Sequence, residues 1–293
     1  MHLKTTRNLF AALALCASVA FGGTELSSAV DAFKKGDYKA AIECAEMVDA
    51  QSPDHAKALY LVGETQLLLG DAAAAEVCFR ALLGERAQSL PARTGLGRAL
   101  TALGKLDEAE KELRCAVAAD AKDAQARRAL GEALTAAKKL VAAKTELAEA
   151  AKLAPGDAWI ARSQVELALL SDEAKDAARI AKALCKAQPK HPLGPFLSGV
   201  VLEKQGEDDE AIEAYEKALA LDETFLDAHK NLAILCHTMS ATYSNTARVR
   251  KSLEHYERYF ALGGKDPELK QTYEQVKSFV EPMLPPVKDG KGK

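Results

Sequence analysis

The sequence predicts an all-α protein, a solenoid of about seven 34-residue helix-turn-helix repeats closed by a C-terminal capping helix. Three observations carry this. Alanine recurs at one phase of a 34-residue grid, at Ala41, Ala75, Ala109, Ala143, Ala177 and Ala211. Roughly one residue in five is alanine, so six in register by chance is an event of order one in ten thousand. A small residue stands eight places into each unit (Ala29, Gly63, Gly97, Gly131, Gly199, Ala233), with Val165 as the exception. Seven places further on comes a break at Gly36, Gly70, Gly104, Lys138, Asp172 and Gly206. A lone helical pair cannot bury its apolar face, so repeats of this length stack.

The units start near Gly22, Ala56, Leu90, Ala124, Ala158, Pro192 and Leu226. Small residues at the eighth and twentieth places let the two helices of a unit approach closely, and larger residues interdigitate around that contact. Glycine or proline between helices ends one and starts the next. The first unit is weak, with Ser28, Ala32 and Ala45 where large apolar residues are expected, and reads as a capping end. In the fifth, Gln164 and Val165 replace Leu-Gly, and Ser171-Asp172 stands at the turn. The seventh carries about seven extra residues within 237–249, rich in Ser, Thr and Asn, which favour loops. Residues 267–282 read as a capping helix, and 284–293 as a disordered basic tail.

This pattern resembles the tetratricopeptide repeat family, over nearly the whole of residues 21–283. The large apolar places are held by Leu96, Leu100, Leu130, Leu134 and Leu232 in first helices, and by Phe79, Leu82, Leu113, Leu147, Tyr215 and Tyr256 in second helices. Pro53, Pro155 and Pro189 stand where the family ends a helix. The resemblance implies a concave groove lined by first helices, binding of a protein or peptide there, and no catalysis. Related exported repeat proteins act in envelope assembly, pilus biogenesis or polysaccharide export.

The N-terminus reads differently. A short basic start with Lys4 and Arg7 precedes an apolar and small-residue run over 9–21. A membrane span needs about 20 apolar residues, so the run is too short. It fits a secretory signal peptide over 1–20, with Ser18-Val19-Ala20 as the cleavage site and cleavage after Gly22 as the second choice. The expected location is therefore the bacterial periplasm or the exterior. Cys16 raises a lipid-anchored alternative, and a membrane contact follows only in that case. Leu15 stands where lipoprotein signals take a small residue, so Cys16 is read as unlipidated. The remaining five cysteines are odd in number and scattered, which argues against a disulfide framework and for small buried hydrophobes.

The net charge of −3, with interspersed signs, gives no basic face for nucleic acid. Gly95-Leu96-Gly97 lacks the third glycine of a dinucleotide loop, and Gly104-Lys105 lacks the phosphate-loop spacing. His229, Cys236, His237 and His255 match no metal-ligand spacing. No cofactor, metal or catalytic residue is expected, and the sequence sets no oligomeric state.

Groove candidates, carried over place by place from the resemblance, are Tyr60, Glu64, Leu67, Arg98, Arg128, Glu132, Trp159, Arg162, Glu166, Leu193, Phe196 and Val200. Their charged members read either as a salt-linked surface or as a polar groove for a peptide of alternating charge. Trp159, Leu193 and Phe196 form the expected partner hot spot, because tryptophan is over-represented among interface anchors. The family's carboxylate clamp is absent: Lys230 and Asn231 occupy groove places in the last unit, with no further unit to supply the other cations. The alternative to a protein-binding scaffold is an accessory subunit handling a polysaccharide, which a content of 5% aromatics disfavours.

Overall fold

The computed structural model describes residues 24–239 and 246–280. The expected signal peptide with Cys16, the basic tail and residues 240–245 of the insertion lie outside the described residues. The described elements are fifteen α-helices and no strand. None of these helices is long and apolar enough to cross a membrane.

The chain divides into two compact units, one ending at Ala187 and one beginning at Gln188. The first unit holds five helical hairpins. These are α1 (Thr24–Lys34) with α2 (Tyr38–Glu46), α3 (His55–Leu69) with α4 (Ala72–Glu85), and α5 (Leu90–Ala102) with α6 (Leu106–Ala119). Next come α7 (Ala124–Ala136) with α8 (Leu140–Leu153), and α9 (Ala158–Leu170) with α10 (Ala174–Ala187). The second unit pairs α11 (Leu193–Gln205) with α12 (Asp208–Leu221) and α13 (Leu226–Thr238) with α14 (Thr246–Ala261), and ends in α15 (Pro267–Val280).

Local chemistry starts and stops these helices. Asp37, Asp71, Ser89, Asp123 and Asp157 cap their helices with side-chain oxygens that accept from backbone N–H groups. Such caps contribute about 1 kcal/mol each. In the first six hairpins the break between first and second helix adopts a left-handed backbone. Gly36, Gly70, Gly104 and Gly206 have φ of 74–85°, and Lys138 and Asp172 have φ of 60°. The chain reverses there through one left-handed residue, a conformation that favours glycine and that aspartate tolerates.

Packing within each hairpin follows one register, in which a first-helix residue meets the second-helix residue 16 places on. A Cβ added to Gly63 would lie 2.7 Å from Phe79, to Gly97 2.3 Å from Leu113, to Gly131 2.6 Å from Leu147, and to Gly199 2.6 Å from Tyr215. Phe79 needs a second glycine: a Cβ on Gly95 of the next hairpin would lie 2.5 Å from its ring. The fifth hairpin inverts the sizes, with Val165 on α9 and Ala181 on α10, both buried. The seventh keeps the register despite its insertion. Ser252, in the place of the grid alanine, is fully buried and donates its hydroxyl to the Ala233 carbonyl at 2.9 Å.

In the first unit, successive first helices touch one another (α1 with α3, α3 with α5, α5 with α7, α7 with α9), while successive second helices do so far less. The unit therefore curves with its first helices on the inner side. Surface ion pairs at a 29-residue spacing link α4, α6 and α8 to the next hairpin: Glu76–Lys105 at 2.8 Å, Glu110–Lys139 at 2.7 Å and, with signs reversed, Lys144–Glu173 at 2.7 Å.

The cysteines depart from expectation. Of the five in the described residues, only Cys236 is buried, and Cys115 is exposed. Cys115 lies on an outward face of α6, away from the stripe of Ala109, Leu113 and Ala116 that packs inward.

Candidate functional site

The inner face of the first unit is built from α3, α5, α7 and α9. Residues 34 apart occupy equivalent places on adjacent first helices, so Glu64, Arg98, Glu132 and Glu166 form one row. Tyr60, Thr94, Arg128 and Arg162, one turn earlier, form a second.

Glu64 is buried to 1% exposure on α3, and Arg98 of α5 donates from Nη1 to its Oε1 at 2.7 Å and its Oε2 at 2.9 Å. Burial pulls the Arg98 pKa down, but the Glu64 charge and hydrogen bonds outweigh it and hold the pKa above its ordinary value. A second network joins α7 to α9. Arg128 donates to Gln125 at 3.1 Å and also pairs with Glu132. Ser163 donates to Glu132 at 2.6 Å, and Gln125 donates to Asp157, the cap of α9, at 3.3 Å. On α9 itself, Arg162 pairs with Glu166 at 2.9 Å and lies 6.0 Å from the centre of the Trp159 ring. The candidate carboxylates and guanidiniums thus compensate one another within the face.

The structure gathers most sequence-derived candidates here, at different depths. Tyr60, Glu64 and Arg128 are buried, and Tyr60 packs edge-on against Phe79 at 6.0 Å. Leu67, Arg98, Glu132, Trp159 and Arg162 are half-buried, and Glu166 is exposed. The two i,i+4 pairs were legible on one helix. The Glu64–Arg98 bridge between helices was not singled out, nor were Gln125, Asp157 and Ser163, although the 34-residue phase carries the signal for Glu64 with Arg98.

The expected hot spot is corrected in the second unit. Leu193 and Phe196 are core residues, 1% and 5% exposed. Phe196 packs against Phe225 at 4.8 Å and Tyr215 at 5.6 Å between ring centroids. Gly199 leaves room for Tyr215 of α12 against α11, and Tyr215 and Phe225 together cover Phe196. Val200 remains half-buried. Lys230 and Asn231 are committed internally, to Asp266 at 2.8 Å and to the Tyr215 hydroxyl at 3.0 Å.

The histidines form a proton-sensitive contact. His229 Nε2 lies 3.0 Å from the Glu223 carbonyl, which only accepts, so Nε2 carries the proton. The neutral His229 Nδ1 then accepts from His255 Nδ1 at 2.9 Å. Burial lowers both pKa values, and the neighbouring imidazole adds to this at His255, which falls to about 4. The unfolded chain therefore binds more protons than the folded one below the ordinary histidine value of about 6.5. The contribution of this pair is present in full above about pH 6.5 and is lost as pH falls towards 4. Urea unfolding of the full chain should show α13–α14 weakening across that window, and less so in His255→Asn. An equal acid response in both proteins would contradict the assignment. Among the described residues, no group of three or more His, Cys, Asp or Glu side chains is placed to hold a metal ion.

Small residues and left-handed breaks recur at one 34-residue period, and tetratricopeptide repeat family models match the same stretches. The chain is a tetratricopeptide repeat protein. Family models match in three places: the anaphase-promoting complex, cyclosome, subunit 3 over residues 34–116, the tetratricopeptide repeat over 94–158 and the TPR repeat over 199–240. No curated protein matches the sequence. Among solved structures, a tetratricopeptide repeat protein from Parabacteroides merdae is similar with a TM-score of 0.64 and 13% identity, over 86% of this chain and 97% of that one. Yeast Tom70 gives 0.74 and 16%, over 90% and 59%. PilW, a widely conserved type IV pilus biogenesis factor, gives 0.57 and 17%, over 67% and 91%. At these identities the likeness is one of fold. Tetratricopeptide repeat proteins of this kind generally bind protein partners and are generally non-catalytic.

Proposed function

We propose that this tetratricopeptide repeat protein is a non-catalytic scaffold of the bacterial periplasm or cell envelope that holds a partner protein or peptide on the inner face of its first unit. The observation that carries the reading is Trp159, a half-buried ring on α9 with Arg162 set 6.0 Å from its centre and Glu166 paired behind it. An aromatic ring flanked by a guanidinium has the composition of an interface anchor. The self-compensated charges on α3, α5 and α7 suit a partner recognised by shape and hydrogen bonds more than by net charge. The export part of the reading rests on the basic start and apolar run of residues 1–20.

The test is a pull-down from cell-envelope extract with residues 21–293 as bait, beside a Trp159→Ala/Arg162→Ala variant, followed by mass spectrometry. The expected result is a stoichiometric protein retained by the parent chain and lost from a variant with the same thermal midpoint. Equal capture by the folded variant would remove the inner face as the site. Retention of envelope polysaccharide with no protein would favour the glycan-handling alternative. N-terminal sequencing of the chain recovered from periplasm should begin at Phe21 if the leader is cleaved after Ala20.

A further inference from the structure

Between α8, α9 and α10 of the first unit lies a partly open cavity of about 150 Å³. Leu147, Leu167 and Ile180 form apolar walls, with Gln164 and Ala168 between them. At the rim, Lys144 pairs with Glu173 at 2.7 Å and Arg179 with Asp176 at 3.1 Å.

The cavity has a cause in the sequence. The places of Gln164 and Ala168 are held by Leu96 and Leu100 in α5 and by Leu130 and Leu134 in α7, all buried to 2% exposure or less. Four leucines fill these places in two hairpins. In the next, one is cut back to a methyl group and the other is exchanged for an amide. The Gln164 amide does not collapse into the gap. Its Nε2 donates to the Leu147 carbonyl on α8 at 3.3 Å, which holds the side chain along the wall.

We propose that this cavity is a binding site for a single neutral aromatic ring bearing a hydroxyl group. Its volume is on the order of that which admits benzene in an apolar protein interior. Each rim charge already has an opposite partner, so the entrance favours neither an anion nor a cation. The one polar group on the wall is an amide, which can both donate to and accept from a hydroxyl. A free phenol and a tyrosine side chain share this chemistry. The site is separate from the inner face and does not depend on its role.

The experiment is an NMR titration of the full chain with p-cresol, toluene and N-acetyltyrosinamide. Saturable shifts of the Gln164, Ala168 and Ile180 amides are expected with p-cresol, and weaker ones with toluene. N-acetyltyrosinamide binding as tightly as p-cresol marks a ring carried on a peptide, and binding of p-cresol alone marks a free phenol. Ala168→Leu restores the leucine of the two preceding hairpins. It should raise the thermal midpoint and weaken p-cresol at least about tenfold, some 1.4 kcal/mol. Gln164→Leu keeps the volume, removes the amide and should erase the preference for p-cresol over toluene. Absence of saturable shifts with any probe overturns the proposal. So does undiminished p-cresol binding in folded Ala168→Leu, or an unchanged preference in Gln164→Leu.

Discussion

Gly97→Val is expected to destabilise the first unit by about 3 kcal/mol or more, and Leu113→Ala introduced with it is expected to restore part of that loss. The Cβ of any residue at 97 would lie 2.3 Å from the Leu113 Cγ, in the fully buried seam between α5 and α6. Overpacking of this kind typically costs about 1–3 kcal/mol, and valine brings two further methyl groups. Intrinsic helix propensity does not explain a loss, because valine is a better helix former than glycine. Leu113→Ala alone should cost about 2–5 kcal/mol through its cavity. The double variant recreates the sizes already present in the fifth hairpin, where Val165 stands on the first helix and Ala181 on the second. Denaturant unfolding of the four proteins gives a double-mutant cycle. A favourable coupling of about 1 kcal/mol or more is expected, since the two sites share one seam. Strict additivity would show that the register is not what sets the approach of the helices.

Arg98→Ala is expected to cost about 3 kcal/mol. The loss arises at Glu64, which is 1% exposed and would keep its carboxylate in the seam between α3 and α5 without a counter-charge. Removing one partner of a buried pair typically costs about 3–5 kcal/mol, and the 19% exposure of the Arg98 side chain places the effect at the low end. Replacing both partners, as Glu64→Leu/Arg98→Leu, should cost clearly less than Arg98→Ala, because no charge is stranded. Thermal and urea midpoints check this. A double variant less stable than the single one would mean that the bridge stabilises by attraction rather than by satisfying a carboxylate already buried.

These two predictions differ in how far the sequence alone leads to them. The glycine register was legible, because Gly63, Gly97, Gly131 and Gly199 stand at one phase and the large residues stand 16 places on. The inversion at Val165 was visible as a departure, but its meaning needed Ala181 beside it. The Glu64–Arg98 bridge lies at the period itself, yet helical patterns draw the eye to partners three or four residues away, as with Arg128 and Glu132. Phe196 misled for a related reason. Its place on the first helix is a groove place in the repeat, but Tyr215 and Phe225 pack over it, as Phe79 packs over Tyr60 at the same place in the second hairpin.

The sequence by itself determined the repeat, its length, the places where each hairpin turns, and the stripe that packs. These depend on backbone geometry and on residue size at fixed intervals, and both repeat along the chain. Only the tertiary structure decided which groove positions are open, which charges are already answered, and where a missing leucine leaves a cavity. Those properties depend on the volume and hydrogen bonding of neighbours brought in from adjacent repeats. The residue at one position records its own chemistry, while its exposure is set by the three or four side chains that the fold places against it.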